Sequence, residues 1–402
     1  MICAATRAEA LGQLAGFVPR AALYARDRNH VREGHGGVSR LSAAIRHRLL
    51  TEDEVAEAVL GAHSFPRVEK FVQEVYWRRY WKAWLSLRPQ VWADYVKGLA
   101  ELEKDERAAR VEAGDSGNAI IDHFSRELLE TGYLHNHVRM WYAAWWIHVA
   151  GLPWQAGADF FLRHLLDGDP ASNTLSWRWV AGLQTPGKTY LARRGNLEKY
   201  LAAEVLEEFS GAWGDFEEPR ARVLEAGVSH LVTCPELTVG KVRDGVRTGL
   251  WIHEEDLTPE RSPLGERAVE AVLVTADVDF PGPKRKWLEA AVRDAAARAE
   301  ERWKGEVVVE MERKAGDALV DWAVRRGIDQ VVALRPEVGP LGDAVAGLME
   351  RLGARGIGLV LVDRPRDLAL RPLATGGFFK FWETMRKRGL VAGVRSMQPE
   401  LF

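Results

Sequence analysis

The sequence predicts a chain in two parts: an all-helical N-terminal unit, then a C-terminal α/β domain whose five parallel strands form a doubly wound sheet. Three observations predict it. The 402 residues are 47% hydrophobic and 28% charged, enough for packed cores in two or three domains. Eleven of the 16 tryptophans stand before residue 214, so the two parts are built differently. Apolar residues recur at helical spacing up to about residue 210, and short β-branched runs alternating with helical stretches take over beyond it.

Within residues 67–87, Val68, Phe71, Val72 and Val75 follow the 3.6-residue period, and Glu74, Trp77, Trp81 and Trp84 form a second stripe. Ile120, Ile121, Phe124 and Leu128 repeat the pattern, as do Trp141, Trp145 and His148 after a turn at Gly132. The most apolar run, 140–154, is interrupted by His148 and Gly151 and is too short to span a bilayer, so it reads as a buried helix. A helix over 160–166 ends at Asp167-Gly168-Asp169-Pro170, where the proline supplies a stop. Residues 211–222 (GAWGDFEEPRAR) mix Gly, acid and Pro and read as a domain exit. The expected division is 1–215 helical, 216–248 linker and 249–402 α/β. Strands are expected at 250–253, 272–275, 307–310, 331–334 and 358–362, with helices over 284–303, 316–326 and 341–352 between them. That alternation implies parallel pairing through βαβ crossovers.

Charge and cysteine usage exclude several classes. A net charge of -2 rules out a strongly basic nucleic-acid clamp, leaving local patches such as Arg78–Arg79 and Arg193–Arg194 for phosphate contacts. Cys3 and Cys234 stand alone, so a four-cysteine iron–sulfur or zinc site and a disulfide framework are excluded. This usage, with no signal-peptide pattern in the first 20 residues, predicts a cytoplasmic setting, no membrane segment and no metal. The tryptophans fit either a large helical core or an aromatic cofactor site, and composition favours the core.

Four local motifs carry candidate chemistry. Residues 182–189 fit the phosphate-loop pattern GxxxxGK[ST], but no strand precedes them, and they read as a chance match. His135-Asn136-His137 sets two imidazoles two apart at a helix start, which suits local hydrogen bonding better than a metal. His253-Glu254-Glu255-Asp256 follows the first strand, where ligands bind in such folds; a solvated acidic turn is the preferred reading. No GxGxxG follows a strand and no GxSxG is present, so a nicotinamide site and a serine elbow lack support. Between Asp167 and Trp179 stand two acids, Asn173 and two indoles. They read either as a helix cap followed by core tryptophans or as a buried-acid site with Arg139 as cation.

Those residues also carry a resemblance. Gly117-Asn-Ala-Ile-Ile-Asp122, Gly132-Tyr-Leu-His135-Asn136-His-Val-Arg139-Met140 and the run Asp167 to Trp179 resemble, in order and spacing, the G-x-P-x-x-D, G-[WY]-x-H-N-x-x-R-M and D-G-D-x-x-x-N-x-x-x-W-x-W patterns of the photolyase/cryptochrome family. Tyr24 to Asp27 and Ser39-Arg40-Leu41-Ser42 resemble its tyrosine and its T-S-R-L-S phosphate turn, with Val38 in place of the first Thr. Glu74-Val-Tyr-Trp77-Arg78 resembles its E-L-x-W-R helix, and residues 378–382 are weakly similar to its Y-T-P-F-W segment. The resemblance covers about residues 20–210. Relatives place the α/β domain first, so it implies a circularly permuted member.

The resemblance implies a helical FAD-binding domain. Its cofactor set is Tyr24, Ser39, Arg40, Leu41, Ser42 and Phe71, with Arg78, Asn136, Arg139, Asp167, Asp169 and Asn173. Ser39, Arg40 and Ser42 are expected at the pyrophosphate. Arg139 and Asp167 are expected to pair beside the flavin, Asp169 to accept from it, and Asn173 to face its N5, where a neutral amide serves several redox states. Trp177 is implied as the flavin-proximal electron donor and Trp154 as the next relay indole, with Trp92 a candidate for the third. Glu74, Trp77, Asn136, Met140 and Trp179 are implied as the pocket for a flipped pyrimidine dimer in UV-damaged DNA, with Glu74 hydrogen-bonding and protonating the reduced dimer. The function implied is light-driven dimer repair by electron transfer from reduced FAD. The alternative is a blue-light photoreceptor or redox flavoprotein without repair. A folate or deazaflavin antenna, used by relatives, has no motif here, and the oligomeric state is left open.

Overall fold

The computed structural model describes residues 3–185, 188–209, 211–225, 230–233, 240–277 and 279–394. Helices fill the chain from Arg7 to Glu217, and the first strand begins at Thr248. The longest helix of this part, Phe65–Ser86, buries Val68, Phe71, Val72, Val75 and Tyr76. Its second stripe, Glu74, Trp77, Trp81 and Trp84, is half-buried. Local chemistry fixes the ends of its neighbours. Thr51 and Glu54 cap Glu52–Ala62 reciprocally. Asn118 caps Ala119–Thr131, which stops at Gly132 with φ +67°, a conformation that favours glycine.

The run expected as one buried helix over 140–154 is corrected. Helix Asn136–Ala144 passes into a π-helical turn, Trp145–Val149, and a new helix, Trp154–His164, starts after Pro153. Proline lacks the N–H that would continue the first helix, and it suits the start of the second. The helix expected over 160–166 therefore begins earlier, at Trp154.

All five expected strands form: β1 (Thr248–His253), β2 (Ala271–Thr275), β3 (Glu306–Glu310), β4 (Gln330–Leu334) and β5 (Gly358–Val362). They pair in parallel in the order β3-β2-β1-β4-β5. Side chains alternate between two cores. Leu250, Ile252, Val272 and Val274 join Trp287, Leu288 and Val292 of helix Gly282–Trp303. Trp251, Leu273, Val331 and Ala333 meet Leu319, Trp322, Leu348 and Leu352 on the other face. Burial on both faces explains why these strands read as continuous apolar runs.

The first of these cores also contains Val68, Phe71 and Tyr76 of the long helix, and Phe378, Phe381 and Trp382 of the late helix Phe378–Lys387. The two parts of the chain thus share a core. An ionic seam reinforces it. Arg364 donates to both oxygens of Asp256 at 2.7 Å, Arg46 meets Glu255 at 3.2 Å, and His47 Nδ1 lies 2.6 Å from the Glu254 carbonyl. The solvated reading of residues 253–256 is therefore corrected: His253, Glu255 and Asp256 are buried, because arginines replace the water a free turn would need. Burial would raise the Asp256 pKa, but Arg364 outweighs it and holds the carboxyl below its ordinary value. Arg79 is likewise removed as a DNA contact, since it is 1% exposed and pairs with Asp367 and Glu337.

Candidate functional site

A cavity of about 480 Å³ opens along the half-buried stripe of the long helix. Its other walls are the turn at residues 38–42, helix Asn136–Ala144, the Asp167–Asp169 corner and helix Pro170–Val180. Every expected site residue lines it except the relay indoles Trp154 and Trp92.

Its electrostatic centre is Asp167. Arg139 grips it bidentately, Nη2 to Oδ1 at 2.9 Å and Nη1 to Oδ2 at 3.1 Å, and Arg78 Nη2 stands 3.4 Å from Oδ2. Burial raises the Asp167 pKa, but Arg139 and then Arg78 outweigh it and bring it down to about 2. Asp169 is already engaged by the chain. Its Oδ1 accepts the Ser172 N–H at 2.8 Å, capping helix Pro170–Val180, and its Oδ2 faces Lys82 Nζ at 3.4 Å and Arg46 Nε at 3.5 Å. Lys82 and Arg46 were not expected here; the signal was a charge on an otherwise buried helix face. Glu74 is also paired, through Oε1, with Lys70 Nζ at 2.9 Å and with Arg28. Asn173 donates through Nδ2 to the Ala158 carbonyl at 2.7 Å, which fixes the orientation of the amide.

The phosphate-type turn is held from outside. Ser39 offers its carbonyl to Gln13 Nε2 at 2.7 Å and its Oγ to the Leu41 N–H at 3.4 Å. Arg40 takes φ +56°, uncommon for a side chain other than Gly or Asn. Tyr24 stands edge-on to Phe71, with ring centroids 5.1 Å apart.

Trp177 is buried, edge-on to Phe161 at 5.1 Å and to Trp146 at 6.2 Å. Its ring rests on the backbone of Gly157, where an added Cβ would come within 2.3 Å of it. Trp154 lies outside the cavity, one helical turn before Gly157, and its ring faces Tyr95 at 5.6 Å. Tyr95 in turn lies 5.2 Å from Trp92, whose Nε1 donates to Asp343 at 2.7 Å. Trp92 is buried.

The remaining motifs fall where their plainer readings put them. His135 caps its helix, Nδ1 accepting from the His137 N–H at 3.2 Å, and burial foremost lowers its pKa to about 3. Residues 182–189 follow a helix, not a strand, and positions 186–187 lie outside the described residues. Among the described residues, no cluster of three or more His, Cys, Asp or Glu is placed to hold a metal, and no helix is long and apolar enough to cross a membrane.

The lining suits an anionic ligand with aromatic ends. Arg28, Arg40, Lys70, Arg78 and Arg139 face three carboxylates, Glu74, Asp167 and Asp169. Arg78 Nη1 and Ser172 Oγ are buried with no hydrogen-bond partner in the chain, as expected of groups awaiting a ligand's acceptors. The residues present therefore fit a flavin adenine dinucleotide: cations for its pyrophosphate and rings for its two planar ends.

Residues 71–199 match the FAD binding domain of DNA photolyase. A deoxyribodipyrimidine photo-lyase from Streptomyces griseus is 34% identical over 119 residues, 29% of this chain and 26% of the relative. A cryptochrome DASH from Ostreococcus tauri is 28% identical over 173 residues, 42% of this chain and 30% of the relative. A solved class III photolyase from Agrobacterium tumefaciens overlaps with a TM-score of 0.42 at 27% identity, over 48% of this chain and 42% of that one. The chain spans between 25% and 38% of the length of the curated relatives it matches. The match falls on the long helix and the Asp167 corner, the walls of the cavity. Residues 71–199 thus form an FAD-binding domain similar to that of the photolyases and cryptochromes.

Proposed function

We propose that this protein repairs pyrimidine dimers in UV-damaged DNA by light-driven electron transfer from reduced FAD. One observation carries the reading: Glu74, Trp77, Asn136, Met140 and Trp179 line the same cavity as the Arg139–Asp167 pair and Asn173. When bound and reduced, FAD supplies the electron that splits the dimer. Ser39, Arg40 and Ser42 hold its phosphates, Asp167 stays ionised and fixes Arg139 beside it, and Asn173 presents a neutral amide. Trp77 and Trp179 stack on the flipped bases, and Glu74 hydrogen-bonds to them. Trp154, outside the cavity, and Trp177, in its wall, would form an inward relay for electrons, with Trp177 the last indole before the flavin.

A second reading, a blue-light photoreceptor without repair, is favoured by the two cations that already occupy Glu74 Oε1. The deciding experiment is repair of a thymine-dimer oligonucleotide by flavin-loaded, photoreduced protein. Intact thymines returned only under light support the enzyme; no repair with confirmed reduced FAD supports the photoreceptor.

The proposal extends to organisation. The helical unit, 1–215, precedes a linker, 216–248, and a doubly wound α/β domain, 249–402, as a circular permutation of the family order. The helix-then-strand order of elements supports this. A cytoplasmic location goes with it, supported by the buried free thiol of Cys3.

A further inference from the structure

Large apolar side chains exposed among the described residues are aliphatic or Met with two exceptions, Trp179 at 36% and Phe379 at 65%. Both line the same cavity. Trp179 belongs to the helix that carries Asn173, and its ring rests on Tyr190 at 5.7 Å. Phe379 comes from helix Phe378–Lys387, about three hundred residues from the long helix in sequence. That helix is anchored: Phe378 stacks on Trp77 at 3.9 Å, and Phe381 meets Tyr80 at 5.4 Å. Phe379 is thus an exposed ring on a fixed support at a cavity wall. Its ring meets Phe378 edge-on at 5.7 Å and leaves most of its surface in water, which is unfavourable and which a planar ligand would relieve. Half-exposed Lys70 on the long helix lines the same cavity and, although paired with Glu74, offers a cation to a strand bearing phosphates.

We propose that Phe379 is a substrate-contacting residue, packing against the extruded pyrimidines of the damaged strand opposite Trp179. This rests on the dimer-repair reading above. It adds to that pocket a wall supplied by the last described helix, outside the matched domain, and so a specificity element that residues 71–199 do not contain.

The test is dark binding of a fluorescein-labelled thymine-dimer single strand, and of its undamaged counterpart, to FAD-loaded protein by anisotropy. Phe379→Ala is expected to lower affinity for the dimer strand about 10-fold, with undamaged-strand affinity and FAD content unchanged. Phe379→Trp should keep dimer affinity within about 2-fold, because a larger ring restores the stacking surface. Under repair conditions Phe379→Ala should raise KM and leave kcat in place. Unchanged dimer affinity in Phe379→Ala, beside a wild type that prefers the dimer, overturns this proposal alone. An equal loss for damaged and undamaged strands overturns it too. A wild type with no preference for the dimer overturns the repair reading, and the role of Phe379 with it.

Discussion

Trp77 lies flat against Phe378, ring centroids 3.9 Å apart and planes within 10°. A ring of the expected lesion pocket is therefore held by a helix that the chain reaches only after the sheet. Replacing Phe378 with Leu keeps most of the buried volume and removes the stack. We expect a stability loss of about 1–2 kcal/mol in urea unfolding and a weaker near-UV circular dichroism signal from Trp77. An unchanged near-UV signal would show that Trp77 is held by other contacts.

Trp177 lines the cavity and rests on Gly157. Trp177→Phe should leave FAD content intact and slow flavin photoreduction under blue light, with thiol present, at least about 10-fold. Bleaching of the flavin absorption band follows it directly. Equal rates would transfer the donor role to another indole, with Trp146 at 6.2 Å from Trp177 the first to test.

Arg139→Gln leaves the buried Asp167 with Arg78 as its remaining guanidinium. A loss of about 3 kcal/mol in stability is expected, together with loss of bound FAD on gel filtration. Asp167→Asn removes the charge itself and should cost less in stability than Arg139→Gln.

The same pair sets an acid limit. Asp167 titrates near 2 in the folded chain against an ordinary 3.8, so the unfolded chain binds the proton more readily. Its stabilisation is complete above about pH 4 and is lost as the pH falls through about 2, a change of roughly 2 kcal/mol. Urea midpoints between pH 5 and pH 2 should show this slope in the wild type and a weaker one in Asp167→Asn.

Arg364→Met strands Asp256 in the ionic seam without its bidentate partner. We expect a destabilisation of about 3–5 kcal/mol, read as a lowered thermal midpoint. The double variant Arg364→Met with Asp256→Leu should recover much of it, because two apolar groups leave no unpaired charge.

Local signals carried most of the fold. The strands were legible because β-branched runs buried on both faces need no knowledge of their partners, and the cavity helices because periodicity and caps are local. That the residues expected at a flavin would share one cavity was legible as well, since they cluster within short motifs. What escaped depended on distant partners. Residues 253–256 read as a wet turn because the arginines that dry them lie elsewhere; Arg46 and Glu255 are 209 residues apart. Arg79 read as a surface cation because Asp367 and Glu337 are equally remote. Lys82 and Arg28 were missed for the same reason, and Phe379 because no period places a helix from one end of the chain on a cavity built at the other.

The core shared by the long helix and helix Phe378–Lys387 has a practical consequence. The described residues between Glu217 and Thr248 form no helix or strand, while the seam and core on either side hold the two parts together. A protease nick in that stretch would leave the particle whole. Two polypeptides divided there and co-expressed would reassemble as a split protein, whereas either alone would bare buried arginines and aromatic rings and precipitate.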